Sequence, residues 1–157
     1  MPQRLPPGEG EIAVARGPGR AAVQPFVIAP TGKRGFSAGG WQGGVVAPMA
    51  FALPSGFGLG LTPQLAAVRN AAGRGVHLGA TGVIGLSHPL GPFGLGAEFY
   101  INYDDDPSGH TTSETFDLTG AWIPAGLKDT QFDLGVNAGL DRNAPDYEVY
   151  AGIAHRF

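Results

Sequence analysis

The stretch Gln131-Phe132-Asp133-Leu134-Gly135-Val136-Asn137-Ala138-Gly139-Leu140, a short connector Asp141-Arg142-Asn143-Ala144-Pro145-Asp146, and then Tyr147-Glu148-Val149-Tyr150-Ala151-Gly152-Ile153-Ala154-His155-Arg156-Phe157 decide the fold. Phe132, Leu134, Val136, Ala138 and Leu140 share one parity; Asp133, Gly135, Asn137 and Gly139 hold the other. After the connector, Tyr147, Val149, Ala151, Ile153 and Phe157 oppose Glu148, Tyr150, Gly152 and Arg156. Successive side chains on a strand point to opposite faces, so 130–157 is a β-hairpin with one apolar and one polar side. Strands of this length, with a last aromatic residue in phase with the apolar set, fit a pair that faces lipid on one side and a polar lumen on the other.

The same period runs upstream. Strands are expected at 22–29, 41–53, 57–68, 76–87, 93–103 and 116–123, with a short one at 11–16, and no helical period competes anywhere. Their length suits a tilted strand crossing a bilayer. Short connectors at 54–56, 89–92 and 124–129 alternate with longer polar ones at 30–40, 69–75, 104–115 and 141–146, the asymmetry of outer-membrane barrels. With the C-terminus periplasmic, Phe51, Phe57, Phe93, Trp122, Phe132 and Phe157 fall toward one membrane surface. Trp41, Tyr103, Phe116 and Tyr147 fall toward the other, giving two aromatic girdles. A soluble β-sandwich is the competing architecture, and its aromatics would share one dry core.

Composition narrows the function classes. The 157 residues include 27 Gly and 14 Pro, both above the usual shares of about 7% and 5%, yet only 15% are charged and no glycine repeat runs through the chain. A formal net charge of −3 speaks against a nucleic-acid partner. The absence of cysteine excludes disulfides and thiolate chemistry. No run reaches the roughly 18 apolar residues of a spanning helix. The opening Met1-Pro2-Gln3-Arg4-Leu5-Pro6-Pro7-Gly8 is too polar for an export core. Since outer-membrane chains are exported, the expectation is either an N-terminally truncated barrel or a misplaced start. Residues 1–9 read as a disordered tail and 10–157 as the barrel.

Catalytic constellations are thin, and the chain does not read as an enzyme. Gly56-Phe57-Gly58-Leu59-Gly60 lacks the helix and lysine of a phosphate loop. Ser87, His88 and Glu98 invite comparison with a hydrolase triad, but adjacent strand residues face opposite ways. The run Asp104-Asp105-Asp106-Pro107-Ser108-Gly109 departs from calcium-loop spacing and reads as a solvated loop tip, so no metal or cofactor is expected. The candidate solute contacts are the lumen-facing polar residues Gln64, His77, Glu98, Tyr100, Asn102, Asp117, Asp133, Asn137, Glu148, Tyr150 and Arg156, with Gln42, Thr62, Thr81 and Thr119 beside them. Packing of these groups against one another as a plug is the alternative, because narrow barrels fill with side chains. Lys33, Arg34, Arg69, Arg74 and Arg142 are loop cations suited to lipopolysaccharide phosphates.

Several stretches carry a family likeness: Pro25-Phe26-Val27-Ile28-Ala29-Pro30-Thr31-Gly32, Trp41-Gln42-Gly43-Gly44, Leu53-Pro54-Ser55-Gly56-Phe57-Gly58-Leu59-Gly60-Leu61-Thr62-Pro63, 131–140, and the ending His155-Arg156-Phe157. Over residues 10–157 the chain resembles the outer-membrane β-barrel transporter family of the phenol-degradation meta-pathway type. The resemblance covers the C-terminal two-thirds of such a barrel and implies a signal peptide and further strands upstream. It brings no catalytic or substrate residues. The combined expectation is an all-β, antiparallel up-and-down transmembrane β-barrel in a bacterial outer membrane, with eight or nine strands present. It would act as a channel or passive transporter for small molecules, with aromatic or hydrophobic solutes in view. Its partners would be outer-membrane lipid, lipopolysaccharide, and the barrel-assembly machinery acting through the strand that ends in Phe157.

Overall fold

The computed structural model describes residues 12–13, 19–32 and 38–157. The expected tail at 1–9 and the cations Lys33 and Arg34 lie outside the described residues, as does most of the strand expected at 11–16. The strands are β1 (Ile12–Ala13), β2 (Gly19–Ile28), β3 (Gln42–Val46), β4 (Met49–Ala52), β5 (Gly58–Leu61), β6 (Gln64–Arg69), β7 (Val76–Leu90), β8 (Phe93–Asp104), β9 (Thr111–Trp122), β10 (Thr130–Gly139) and β11 (Tyr147–His155). Every pairing is antiparallel, and the strands meander through one sheet.

The expected strands 41–53 and 57–68 each appear as two pieces, β3 with β4 and β5 with β6. Proline causes both breaks without moving the register. Pro48 and Pro63 have no N–H to give to the ladder, yet their carbonyls still accept from Ala22 (3.0 Å) and Ala47 (2.9 Å). Thr62 and Val83 exchange both backbone bonds, at 2.9 and 3.2 Å, so β5 and β6 continue as one run against β7. Counting each broken pair once, eight long runs follow one another, with β1 as a short arm on β2. Other boundaries differ from expectation because turn-like residues stay in the ladder. Pro89 lies within β7, opposite Gly94, and the turn shrinks to Gly91-Pro92, with Gly91 at φ 63. β9 starts five residues early, as Thr111 to Thr115 pair with Asp104 to Tyr100.

Among the described residues no hydrophobic side chain is buried. The register assigns the two faces. Leu95 lies opposite Gly120, which lies opposite Leu134; Ala97, Leu118 and Val136 form the next row, followed by Phe99, Phe116 and Ala138. Side chains on this face project freely, with Leu118 56% and Leu134 58% exposed. The opposite face carries Thr115, at 8%, and the buried Gly135, and is the more occluded of the two. One layer with its apolar side outward is not a sandwich: Phe57, Phe93 and Phe132 are 38, 51 and 37% exposed, and Phe157 is fully exposed.

The aromatics sort largely as expected. Phe93, Trp122 and Phe132 stand side by side on β8, β9 and β10, with ring centroids 6.4 and 5.8 Å apart. Phe57 stacks on His88 at 4.3 Å, so this imidazole belongs to the apolar face. Phe116 departs from the upper row. It pairs directly with Phe99 in the middle of β8, because β9 extends five residues beyond its expected start. Among the described residues the first and last strands do not pair. Among these residues β11 bonds only to β10, and on the outer edge of β2 only Ala22 and Val23 pair, with β1.

If the apolar face meets lipid, Arg at Val45, Leu61, Leu95 or Val136 should cost roughly 2–4 kcal/mol and reduce assembly. Glu98→Gln and Glu148→Gln on the other face should assemble normally. A membrane-insertion assay checks this, and equal damage from both sets would contradict the assignment of faces.

Candidate functional site

All the strand residues expected to line a lumen share the polar face. Gln64 lies opposite Thr81, and Thr81 opposite Asn102. Glu98 lies opposite Asp117, Asp117 opposite Asn137, and Asn137 opposite Glu148. That row spans four strands from β8 to β11 with three carboxylates and one amide. His77, Tyr100, Asp133 and Tyr150 keep the same parity, and Arg156 continues it past β11, where its backbone N–H donates to the Asp129 carbonyl at 2.9 Å.

The face is polar but partly self-satisfied. Thr81 Oγ1 donates to Asn102 Oδ1 at 3.0 Å, and Gln131 Nε2 donates to Asp133 Oδ1 at 2.7 Å. Tyr150 reaches across β10, donating its hydroxyl to both oxygens of Asp117 on β9 at 2.9 and 3.1 Å. The ring crosses directly over Gly135, its register partner, and a Cβ there would collide with the ring. Any side chain at 135 would have to displace the ring lying on top of it. Asn137 Oδ1 is buried without a hydrogen-bond partner. A groove of about 310 Å³ runs over the small residues beside this row, lined in part by Gly85, Gly96, Glu98, Thr119 and Asp133.

A second polar constellation forms where loops 70–75 and 105–110 meet, and periodicity did not reveal it. His77, with its side chain 5% exposed, places Nε2 3.0 Å from Asp104 Oδ1 and Nδ1 3.4 Å from Asp106 Oδ2. Its Nδ1 is also 3.0 Å from Asn70 Oδ1. Asp106 is not the solvated loop tip expected from its run of carboxylates; it is buried. Its Oδ1 accepts from the Ser108 backbone and hydroxyl at 2.7 and 2.5 Å, and its Oδ2 from Ala71 N at 2.7 Å. These bonds, led by the Ser108 hydroxyl, with the Ala71 and Ser108 N–H groups and the nearby His77 adding to it, lower the Asp106 carboxyl to about 2. Asp105 turns away to His110 Nδ1 at 2.6 Å and to the Tyr103 hydroxyl at 3.1 Å. The carboxylate run was visible in the sequence; its partner His77, twenty-seven residues before Asp104, was not.

Other candidates disperse. Ser87 points to the polar face, its hydroxyl 3.5 Å from the Gly58 carbonyl, while His88 stacks on Phe57 across the sheet, so no triad forms with Glu98. The segment 56–60 enters strand β5 rather than a helix. Arg69 turns its guanidinium to the Gly73 carbonyl at 2.5 Å, whereas Arg74 and Arg142 remain exposed.

No family model matches the chain, and neither do any curated protein or solved structure.

The Tyr150 bridge gives a testable coupling. Tyr150→Phe should lower unfolding free energy by about 1 kcal/mol, the value of one hydrogen bond at a partly exposed site. Gly135→Val should cost more, since it displaces the ring as well. Combined with Tyr150→Ala, Gly135→Val should be relieved, giving a non-additive double-mutant cycle in urea titrations.

Proposed function

We propose that this chain is an outer-membrane β-barrel protein whose polar sheet face lines a channel for small molecules. The observation that carries the reading is the sorting of every Val, Leu, Ile, Phe and Trp of β8 to β11 to one face of a sheet that buries none of them, although Phe26, Ile28, Val46, Val68 and Val83 of the earlier strands lie on the polar side. Water would not tolerate so large a continuous apolar surface, whereas lipid requires it. A passive route for small, including aromatic, solutes is the form of transport we propose.

Among the described residues, the outer edges of β2 beyond its two-residue pairing with β1 and of β11 carry no partner strand, which bears on how the pore is completed. Each unpaired backbone group costs several kcal/mol in lipid, so further strands or a second chain would cover them. The assembly machinery would engage β11, exposed along its whole length. Arg74 and Arg142 would meet lipopolysaccharide phosphates on the outer side.

The acidic row refines the selectivity. Carboxylates directly opposite each other destabilise a sheet, and Glu98 and Asp117 are such a pair, flanked by Glu148 with no Lys or Arg in the row. Retaining them suits a lumen that attracts cations and polar solutes carrying positive charge. The alternative of a plugged structural barrel draws on the Tyr150–Asp117 and Thr81–Asn102 bonds across the same face.

Planar-bilayer recording of the folded protein separates the two. A channel should conduct with a preference for potassium over chloride, and the combined Glu98→Gln, Asp117→Asn and Glu148→Gln variant should lose that preference. Folded, inserted protein without conductance would establish the plug instead.

A further inference from the structure

The cluster at the loop end of the polar face has the makings of a metal site. His77, Asp104 and Asp106 each offer one ligand atom within 4.8 Å of the others. The tautomer is set from outside the cluster. Nδ1 sits 3.0 Å from Asn70 Oδ1, an acceptor, so it carries a proton, and in the neutral ring the Nε2 lone pair is then free. A carbonyl-type oxygen on the far nitrogen is the usual support of a metal-bound imidazole.

Nε2 is the telling atom. It is buried and has no hydrogen-bond partner, although Asp104 Oδ1 is only 3.0 Å away. An imidazole lone pair facing a carboxylate oxygen at that distance is repulsive, so a positive charge, either a proton on Nε2 or a metal ion, belongs between or beside them. Two ligands held at about 2.0–2.2 Å on one ion with a near-right angle between them are about 3 Å apart, so the observed spacing suits joint ligation. Asp106 is fixed by two donors on Oδ1, the Ser108 N–H and hydroxyl, and one on Oδ2, the Ala71 N–H, which orient the carboxylate while leaving Oδ2 a lone pair to donate.

We propose that His77 Nε2, Asp104 and Asp106 bind a divalent transition-metal ion of the zinc class. One imidazole with two carboxylates favours such an ion over calcium or magnesium, which take all-oxygen shells. Bound there, the ion ties loop 105–110 to β7 and to loop 70–75 at the mouth of the polar face. The proposal stands apart from transport, since it needs only these loops to be folded.

The test is zinc titration by calorimetry of the whole chain refolded in detergent, with calcium as comparison and folding verified by heat-modifiable gel mobility. One saturable zinc site per chain is expected, with calcium at least tenfold weaker. Asp104→Asn and His77→Gln should each weaken zinc at least tenfold. Asp105→Asn and His110→Asn should leave it unchanged, because that pair turns away. Zinc should also slow proteolysis of loop 105–110 in the parent protein and not in Asp104→Asn, which keeps side-chain size if His77→Gln fails to fold. No saturable zinc binding, equal calcium affinity, or binding indifferent to Asp104→Asn would overturn the site.

Discussion

The constraint on which everything else rests is the unbroken two-residue period of the hydrogen-bond ladder. From β7 to β11 each pair holds one register from end to end, so each side chain's face follows from its parity. A slip of one residue would send every apolar side chain of a strand to the polar face. The row Glu98, Asp117, Asn137, Glu148 and the row Ala97, Leu118, Val136 are two products of the same pairing. Even where Pro48 and Pro63 remove donors, the pairings on either side stay in step, because proline carbonyls and neighbouring residues continue the pattern.

A sheet with no covered apolar face cannot draw stability from a core of its own. Folding must offset the loss of roughly 1–2 kcal/mol of backbone freedom per residue. In a packed domain, apolar burial is the main compensation. Here that burial has no protein partner among the described residues, so it has to come from whatever covers the Leu95, Leu118 and Leu134 side. This physical shortfall, more than any single residue, gives the membrane reading its force. On the polar face stabilisation is local: a tyrosine laid flat over a glycine, a threonine on an asparagine, and a loop aspartate holding three donors.

Alternation alone located β7, β8, β10 and β11 and assigned the face of every candidate lumen residue, because parity along a strand is a local property of the chain. Strand ends were less legible. Thr111–Thr115 and Pro89 carry loop-like composition, and only their partners on β8 hold them in the ladder. The middle placement of Phe116 follows from that same extension. Closure, too, is a question between strands remote in sequence, and no local pattern reports that β1 pairs with Ala22 and Val23 on the edge of β2.

The acidic row and the His77 cluster mark the two sides of that division. Polar residues at alternate positions already announced that Glu98, Asp117, Asn137 and Glu148 face one way. That they stand directly opposite one another depends on register across three pairings, which short-range pattern does not encode. His77, Asp104 and Asp106 come from a strand start, a strand end and a loop, and they meet because antiparallel pairing returns the chain to the same end of the sheet. A period can say which side of a strand a residue occupies; only the assembled sheet brings residues distant along the chain within ligand distance of each other.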